Sequence, residues 1–125
     1  MNTTDRCRVA LLQRWPHECG DSYAKRYPHL EIDKLDEQAP PEQLVEAVSR
    51  AQIYQARSTR SELPQALWVD KPLLAACPDL LAVSTNGSGY DTVNLDACTE
   101  AGVLVVNQAG GPKQAVAEHA LAMML

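Results

Sequence analysis

Segments of strand character and segments of helical character take turns five times along the 125 residues, and this alternation restricts the fold more than any other feature of the chain. The apolar run RVALLQ (8–13) precedes a helical stretch around CGDSYAKRY, and LEIDKL (30–35) then alternates apolar and polar residues with a period of two. After the breaker APP, EQLVEAVSRA sets Leu44, Val45 and Val48 on one helical face. Pro41 falls near the start of that helix, where its missing N–H removes no hydrogen bond. QIYQA reads as a third strand. DKPLLAAC reads as a helix ended by Pro78, since a proline disfavours helical geometry in the residue before it. LLAVS (80–84), the short helix NLDACTEAG with Gly102 at its C-terminal end, VLVVN (103–107) and the apolar helix QAVAEHALAMML complete the series. RSTRSELPQALW, with its charges, serines and proline, reads as loop. Near-continuous apolar strands such as VLVV suit burial on both faces, so the expected fold is α/β: a doubly wound, five-stranded parallel sheet with helices on both faces.

A chain of this length buries one moderate core, and 46% apolar with 22% charged residues is ordinary globular composition. A net charge of -5 with no Lys/Arg-dense segment argues against a nucleic-acid partner, because nothing would overcome repulsion from a phosphate backbone. Cys7, Cys19, Cys77 and Cys98 form no C-x-x-C pair, and only His17, His29 and His119 could join them, so neither a zinc site nor a disulfide framework is expected. No stretch approaches the roughly 20 apolar residues of a membrane helix, and MNTTDRCRVALLQ has too short an apolar run for a signal sequence. These features suggest a reduced, cytoplasmic protein with no membrane partner.

Ligands of doubly wound sheets bind beyond the carboxyl ends of the strands, which here read QRWP, DEQAPP, ARST, TNGSGYD and NQAGGP. A phospho-receiver needs acids after the first strand and an aspartate after the third, where this chain has Gln13-Arg14 and Arg57-Ser58. A flavodoxin needs a Ser/Thr/Gly-rich cradle after the first strand, and QRWPHECG offers a single glycine at its far end. The dinucleotide fingerprint G-x-G-x-x-G fails at its third glycine, which is Thr92. What remains for STNGSGYDTVN (84–94) is a turn in which Gly87 and Gly89 expose backbone N–H groups as a small nest for a carboxylate. Arg57-Ser58 at the neighbouring strand end would add a charged donor and a hydroxyl. On the residues alone a second reading stands beside it, a plain tight turn with Asp91 or Asn94 capping the next helix and Arg57 a solvated charge. Glu118-His119 looks like an acid–base pair, but adjacent helical residues point about 100° apart.

The stretch LLAACPDLLAVSTNGSGYDTVNLDACTEAGVLVVNQAGGPKQAVAEHALAMML resembles the D-isomer-specific 2-hydroxyacid dehydrogenase family. The likeness lies in Pro-x-Leu before the strand, G-x-G-x-D, the Gly-hydrophobic-x-Val-x-Asn run and Val-Ala-Glu-His; residues 1–72 match only in the order of their elements. The resemblance implies a substrate domain of flavodoxin-like topology, with an NAD-binding Rossmann domain inserted between its first and last portions. Residues 1–106 would be the first portion of the substrate domain. Residues 107–125, starting at the crossing residue Asn107, would be hinge and interdomain helix. By the same resemblance, Ser88 and Gly89, in a loop with Gly87, offer N–H groups to the substrate carboxylate, and Arg57 and Ser58 contact substrate, with Arg60-Ser61 as a competing alignment. Ser88 and Val116 would approach the cofactor, while Glu118 and His119 would be structural. Two departures stand out: Pro112 occupies a hinge position where many members carry Asn, and the connection from 57 to 87 is long.

The implied parent enzyme interconverts a D-2-hydroxy acid and a 2-oxo acid with NAD or NADP, bound mainly by the other domain, as a homodimer joined through the interdomain helix region. The family's catalytic Arg, Glu and His lie downstream of the matched residues, so these 125 residues are not expected to catalyse alone. The apolar end LAMML is expected to continue into, or be covered by, another surface. From a different class, the alternative is a free-standing module, regulatory or carboxylate-binding, that keeps the nest without the chemistry.

Overall fold

The computed structural model describes residues 6–13, 15 and 17–125; Arg14 and the first residues of MNTTDRCRVALLQ, both used above, lie outside the described residues. The strands are β1 (Cys7–Leu12), β2 (Leu30–Leu35), β3 (Ile53–Ala56), β4 (Ala82–Thr85) and β5 (Leu104–Val106). The helices are α1 (Cys19–Ala24), α2 (Pro41–Ser49), α3 (Lys71–Ala76), α4 (Leu95–Ala101) and α5 (Lys113–Met124). The five strands form one sheet in the order β2-β1-β3-β4-β5, and every pairing is parallel. The alternation thus becomes the expected architecture, with the flavodoxin-like order and its reversal of direction between β1 and β3.

Period-two geometry divides the strand residues between two faces. Ala10 and Leu12 of β1, Tyr54 and Ala56 of β3 and Val83 of β4 share a core with Leu44 and Val48 of α2, Leu73 and Leu74 of α3, and Ala97 and Cys98 of α4. Tyr54 is wholly buried, its hydroxyl lies 3.4 Å from the carbonyl of Leu67, and burial holds the phenol well above its ordinary pKa. On the opposite face α1 lies over the β1–β2 end, where Tyr23 and Ala24 border an apolar groove with Val9, Leu30 and Ile32. Toward β5 that face is bare: Leu104 and Val106 are 63% and 47% exposed, and no residue of α5 is buried.

The segment expected as plain loop is more ordered than its composition suggests. RSTRSELPQALW contains two 3₁₀ turns, Arg60–Glu62 and Gln65–Leu67, and drives Leu63 and Leu67 into the core. The indole N–H of Trp68 donates to the Leu63 carbonyl at 3.1 Å, and the Arg60 guanidinium lies 4.8 Å from the Trp68 ring centroid. The strand expected at 80–84 runs instead from Ala82 to Thr85, because Leu80 turns into the core and Leu81 bonds through its N–H to the Gln52 carbonyl before the ladder begins. Gly102 sits at φ 71°, a left-handed conformation that glycine adopts without a Cβ clash, and it ends α4 as the sequence suggests.

Leu67→Ala should lower unfolding free energy by about 2–4 kcal/mol, since it empties a wholly buried site. Leu104→Ser on the bare face should change it by less than about 0.5 kcal/mol. Urea unfolding of the two variants checks the pair, and a large cost at Leu104 would mean that this face is covered in solution.

Candidate functional site

The parallel arrangement delivers every strand's carboxyl end to one edge, where the segments after β3 and β4 meet. Asn86 opens the loop after β4, and its side-chain oxygen accepts from both the backbone N–H and the hydroxyl of Ser58 at 3.2 Å. Two of the loop's carbonyls are bound too. The Gly87 carbonyl accepts from the Thr85 hydroxyl at 3.3 Å and the Gln108 N–H at 3.0 Å, and the Ser88 carbonyl accepts from the Asn107 side-chain amide at 2.9 Å. Among the described residues the N–H groups of Gly87, Ser88 and Gly89 donate to no protein acceptor, and Ser88 and Gly89 are exposed. Acceptors turned inward and donors left free make a loop that favours an anion.

Beside this loop lies a pocket of about 200 Å³ lined by Leu11, Leu12, Trp15, Gln55, Ala56, Arg57, Glu62 and Asn86. Arg57 reaches past the end of β1 to Glu37, in the turn after β2, with Nη2 to Oε2 at 3.1 Å and both side chains about two-thirds buried. The Arg57 carbonyl accepts from the hydroxyl of buried Thr92 at 2.6 Å, which anchors the residue between two loops.

The family model described as "D-isomer specific 2-hydroxyacid dehydrogenase, catalytic domain" matches residues 9–122. The chain belongs to the D-isomer-specific 2-hydroxyacid dehydrogenase family. D-3-phosphoglycerate dehydrogenase of Mycobacterium leprae is 48% identical over 60 residues, 48% of this chain and 11% of that protein. The crystallised 2-hydroxyacid dehydrogenase of Ketogulonicigenium vulgare superposes with a TM-score of 0.69 at 26% identity, covering 95% of this chain and 35% of that one. D-lactate dehydrogenase of Aquifex aeolicus, solved with NAD and lactic acid, shares the fold with a TM-score of 0.63 at 24% identity, covering 93% of this chain and 32% of that one. The chain therefore spans about a third or less of the length of these relatives.

The structure brings Arg57, Ser58, Gly87, Ser88 and Gly89 of this family member to one edge. Val116 stands apart, 65% exposed on α5. Three expectations from the sequence need refining. Gly87 and Gly89 make their turn without a left-handed backbone, since the positive-φ glycines are Gly102 and Gly110. A Cβ at Gly87 would come 3.4 Å from the Ser58 hydroxyl and one at Gly89 3.7 Å from the Ser58 Cβ, ordinary contacts, so neither turn demands glycine for its backbone. Asn94 does cap α4, accepting from the Ala97 N–H at 3.0 Å, and Asp91 does not serve as that cap. The helix is capped downstream of the open amides, so the capping and nest readings of this stretch are compatible. Arg60, the competing arginine, is turned from the pocket, its Nε donating to the Asp91 carbonyl at 2.8 Å.

Sequence reasoning missed Asn86, Glu37, Glu62, Thr92 and the wall of Leu11, Leu12 and Trp15. Asn86 carried a signal, an Asn-Gly step at a strand end; Glu37 carried none, since its role depends on strand order. Glu118 pairs with Gln114 at 2.8 Å rather than with His119. Burial pushes the thiols of Cys77 and Cys98 up, which makes them poor nucleophiles. Among the described residues no cluster of His, Cys, Asp and Glu could hold a metal, and no helix is long and apolar enough to cross a membrane.

Asn86→Ala deprives two Ser58 donors of their acceptor and should cost about 1–3 kcal/mol. Backbone amide signals of 87–89 should shift and Ser58 N–H exchange should quicken; an unmoved loop would show that the Ser58–Asn86 contact does not hold it.

Proposed function

We propose that this chain is the first portion of the substrate domain of an NAD- or NADP-dependent oxidoreductase that interconverts a D-2-hydroxy acid and a 2-oxo acid. The observation that carries the reading is the loop at 87–89, with the Gly87 and Ser88 carbonyls bound by Thr85, Gln108 and Asn107 and its N–H groups without an acceptor among the described residues. A substrate carboxylate would accept from the N–H groups of Ser88 and Gly89. Arg57, whose Nε and Nη1 have no protein acceptor among the described residues, would supply charge and direction. Ser58 acts through Asn86 by holding the loop, with its hydroxyl facing the glycines.

The chain's own residues fit one edge of a nicotinamide cofactor and not its pyrophosphate, since the G-x-G turn after β4 has Thr92 where the dinucleotide fingerprint needs its third glycine. Ser88 and Val116, both exposed, would face the nicotinamide end. When bound, the cofactor supplies the hydride acceptor or donor. In this reading residues 1–106 belong to the substrate domain and 107–125 cross to the cofactor domain. The bare apolar residues of α5, Leu121 and Met124 among them, are covered by that domain and by a second copy in a cytoplasmic homodimer. A free-standing carboxylate-binding module is the second reading, favoured by the completeness of the five-stranded sheet within the chain.

Because a Cβ at Gly89 meets nothing closer than 3.7 Å, Gly89→Ala should leave the melting temperature unchanged and fill only the space a ligand needs. In the full-length protein it should lower kcat/KM by about tenfold or more, the scale of one charged hydrogen bond. Ser88→Ala keeps the N–H and should stay within about threefold, while Arg57→Lys, which loses the planar fork, should fall further. Undiminished kcat/KM in Gly89→Ala would place the carboxylate elsewhere. Glycolate shifting the Ser88 and Gly89 amides of a full-length protein without dehydrogenase activity would favour the second reading.

A further inference from the structure

Among the described residues the pocket beside the amide loop is poorly provided with positive charge. Among the described residues its lining holds one cation, Arg57, and one carboxylate, Glu62. That cation is already matched by Glu37, bound at 3.1 Å and about as buried as the arginine itself. The pairing follows from strand order: β1 lies between β2 and β3, so an arginine after β3 crosses the end of β1 to reach an acid in the turn after β2. That turn is fixed by its own bonds, the Gln38 N–H to the Asp36 side chain at 3.0 Å and the Ala39 N–H to the Asp36 carbonyl at 2.9 Å. Arg60, the next arginine, is held away over Trp68. The remaining wall joins Leu11, Leu12, Ala56 and Trp15 with Gln55 and Asn86, and none of these carries a charge.

We infer that the site selects a 2-hydroxy or 2-oxo acid whose only negative group is its carboxylate and whose remaining substituent is small and uncharged, with Glu37 and Glu62 acting against phosphorylated or sulfonated acids. This rests on the carboxylate reading of the 87–89 loop and adds the substrate's charge class to it. A carboxylate is served by the free amides and the open side of the Arg57 guanidinium. Among the described residues a second anionic group in the same pocket meets Glu62 and a cation already matched by Glu37, and specificity then comes from repulsion as much as from attraction. Glu37 is a positioning residue: it holds the arginine across β1 and cancels its charge toward the substituent.

The test is a titration of the chain at low ionic strength with D-lactate and with D-3-phosphoglycerate, read at the Ser88 and Gly89 amides. The expected result is D-lactate binding about tenfold or more tightly than the phosphorylated acid. In the Glu37→Gln/Glu62→Gln protein that ratio should shrink at least about threefold through tighter phosphoglycerate binding, a change that loosening of the loop would not produce, since loosening weakens both acids. If both acids move the two amides and the phosphorylated one binds equally or more tightly, or if the double substitution leaves the ratio where it was, the charge-class inference is overturned and the carboxylate reading stands. If neither acid moves Ser88 or Gly89, the carboxylate reading falls and takes this inference with it.

Discussion

The pairing of β3 between β1 and β4 is the constraint on which the rest depends. β3 has four residues, yet it aligns Ile53 with Val9 on one side and with Ala82 on the other, and its Tyr54 is wholly buried. Because both pairings are parallel, the residues after β3 and β4 emerge side by side. Ser58 therefore meets Asn86, Thr92 reaches the Arg57 carbonyl, and the loop at 87–89 is held by side chains on both flanks rather than by its own turn. An antiparallel neighbour would have sent one of these loops to the opposite edge.

The two faces of the sheet are unequally finished. α2, α3 and α4 cover one face and close a core that runs from Ala10 to Val103. The other has α1 at one end and exposed Leu104 and Val106 at the other. A parallel strand with a bare face is unusual, because crossover helices ordinarily bury both. The bareness coincides with α5, a helix of twelve residues with no buried position. Both features lie beyond the 87–89 loop in sequence, and the solved relatives compared above are nearly three times the length of this chain or more.

Much of this was legible in the sequence because it is local. Period-two alternation in LEIDKL, the helical face of Leu44 and Val48, and glycine at position 102 each report one element's own geometry, and the parallel sheet follows from their alternation. The nest was legible in part: two glycines after an apolar strand suggested free N–H groups. What holds the loop was not, since it is shaped by hydrogen bonds from Thr85, Ser58 and Asn107. What could not be read depends on strand order. Nothing in DEQAPP announces that Glu37 will meet Arg57 twenty positions later, and nothing in RSTRSELPQALW separates the arginine at the pocket from the one stacked on Trp68. The burial of Leu63 and Leu67 was hidden for the same reason, because charged neighbours masked a segment whose apolar residues complete a core made by distant elements.

The central claim is that the loop after β4 is an anion cradle whose donors are the Ser88 and Gly89 N–H groups. A crystal structure of the full-length protein with a small non-reacting monocarboxylate such as oxamate tests it most directly. The account predicts one carboxylate within hydrogen-bond distance of both N–H groups, with Asn86 still accepting from Ser58. A carboxylate bound elsewhere, with the 87–89 amides turned to solvent or to protein carbonyls, would contradict it.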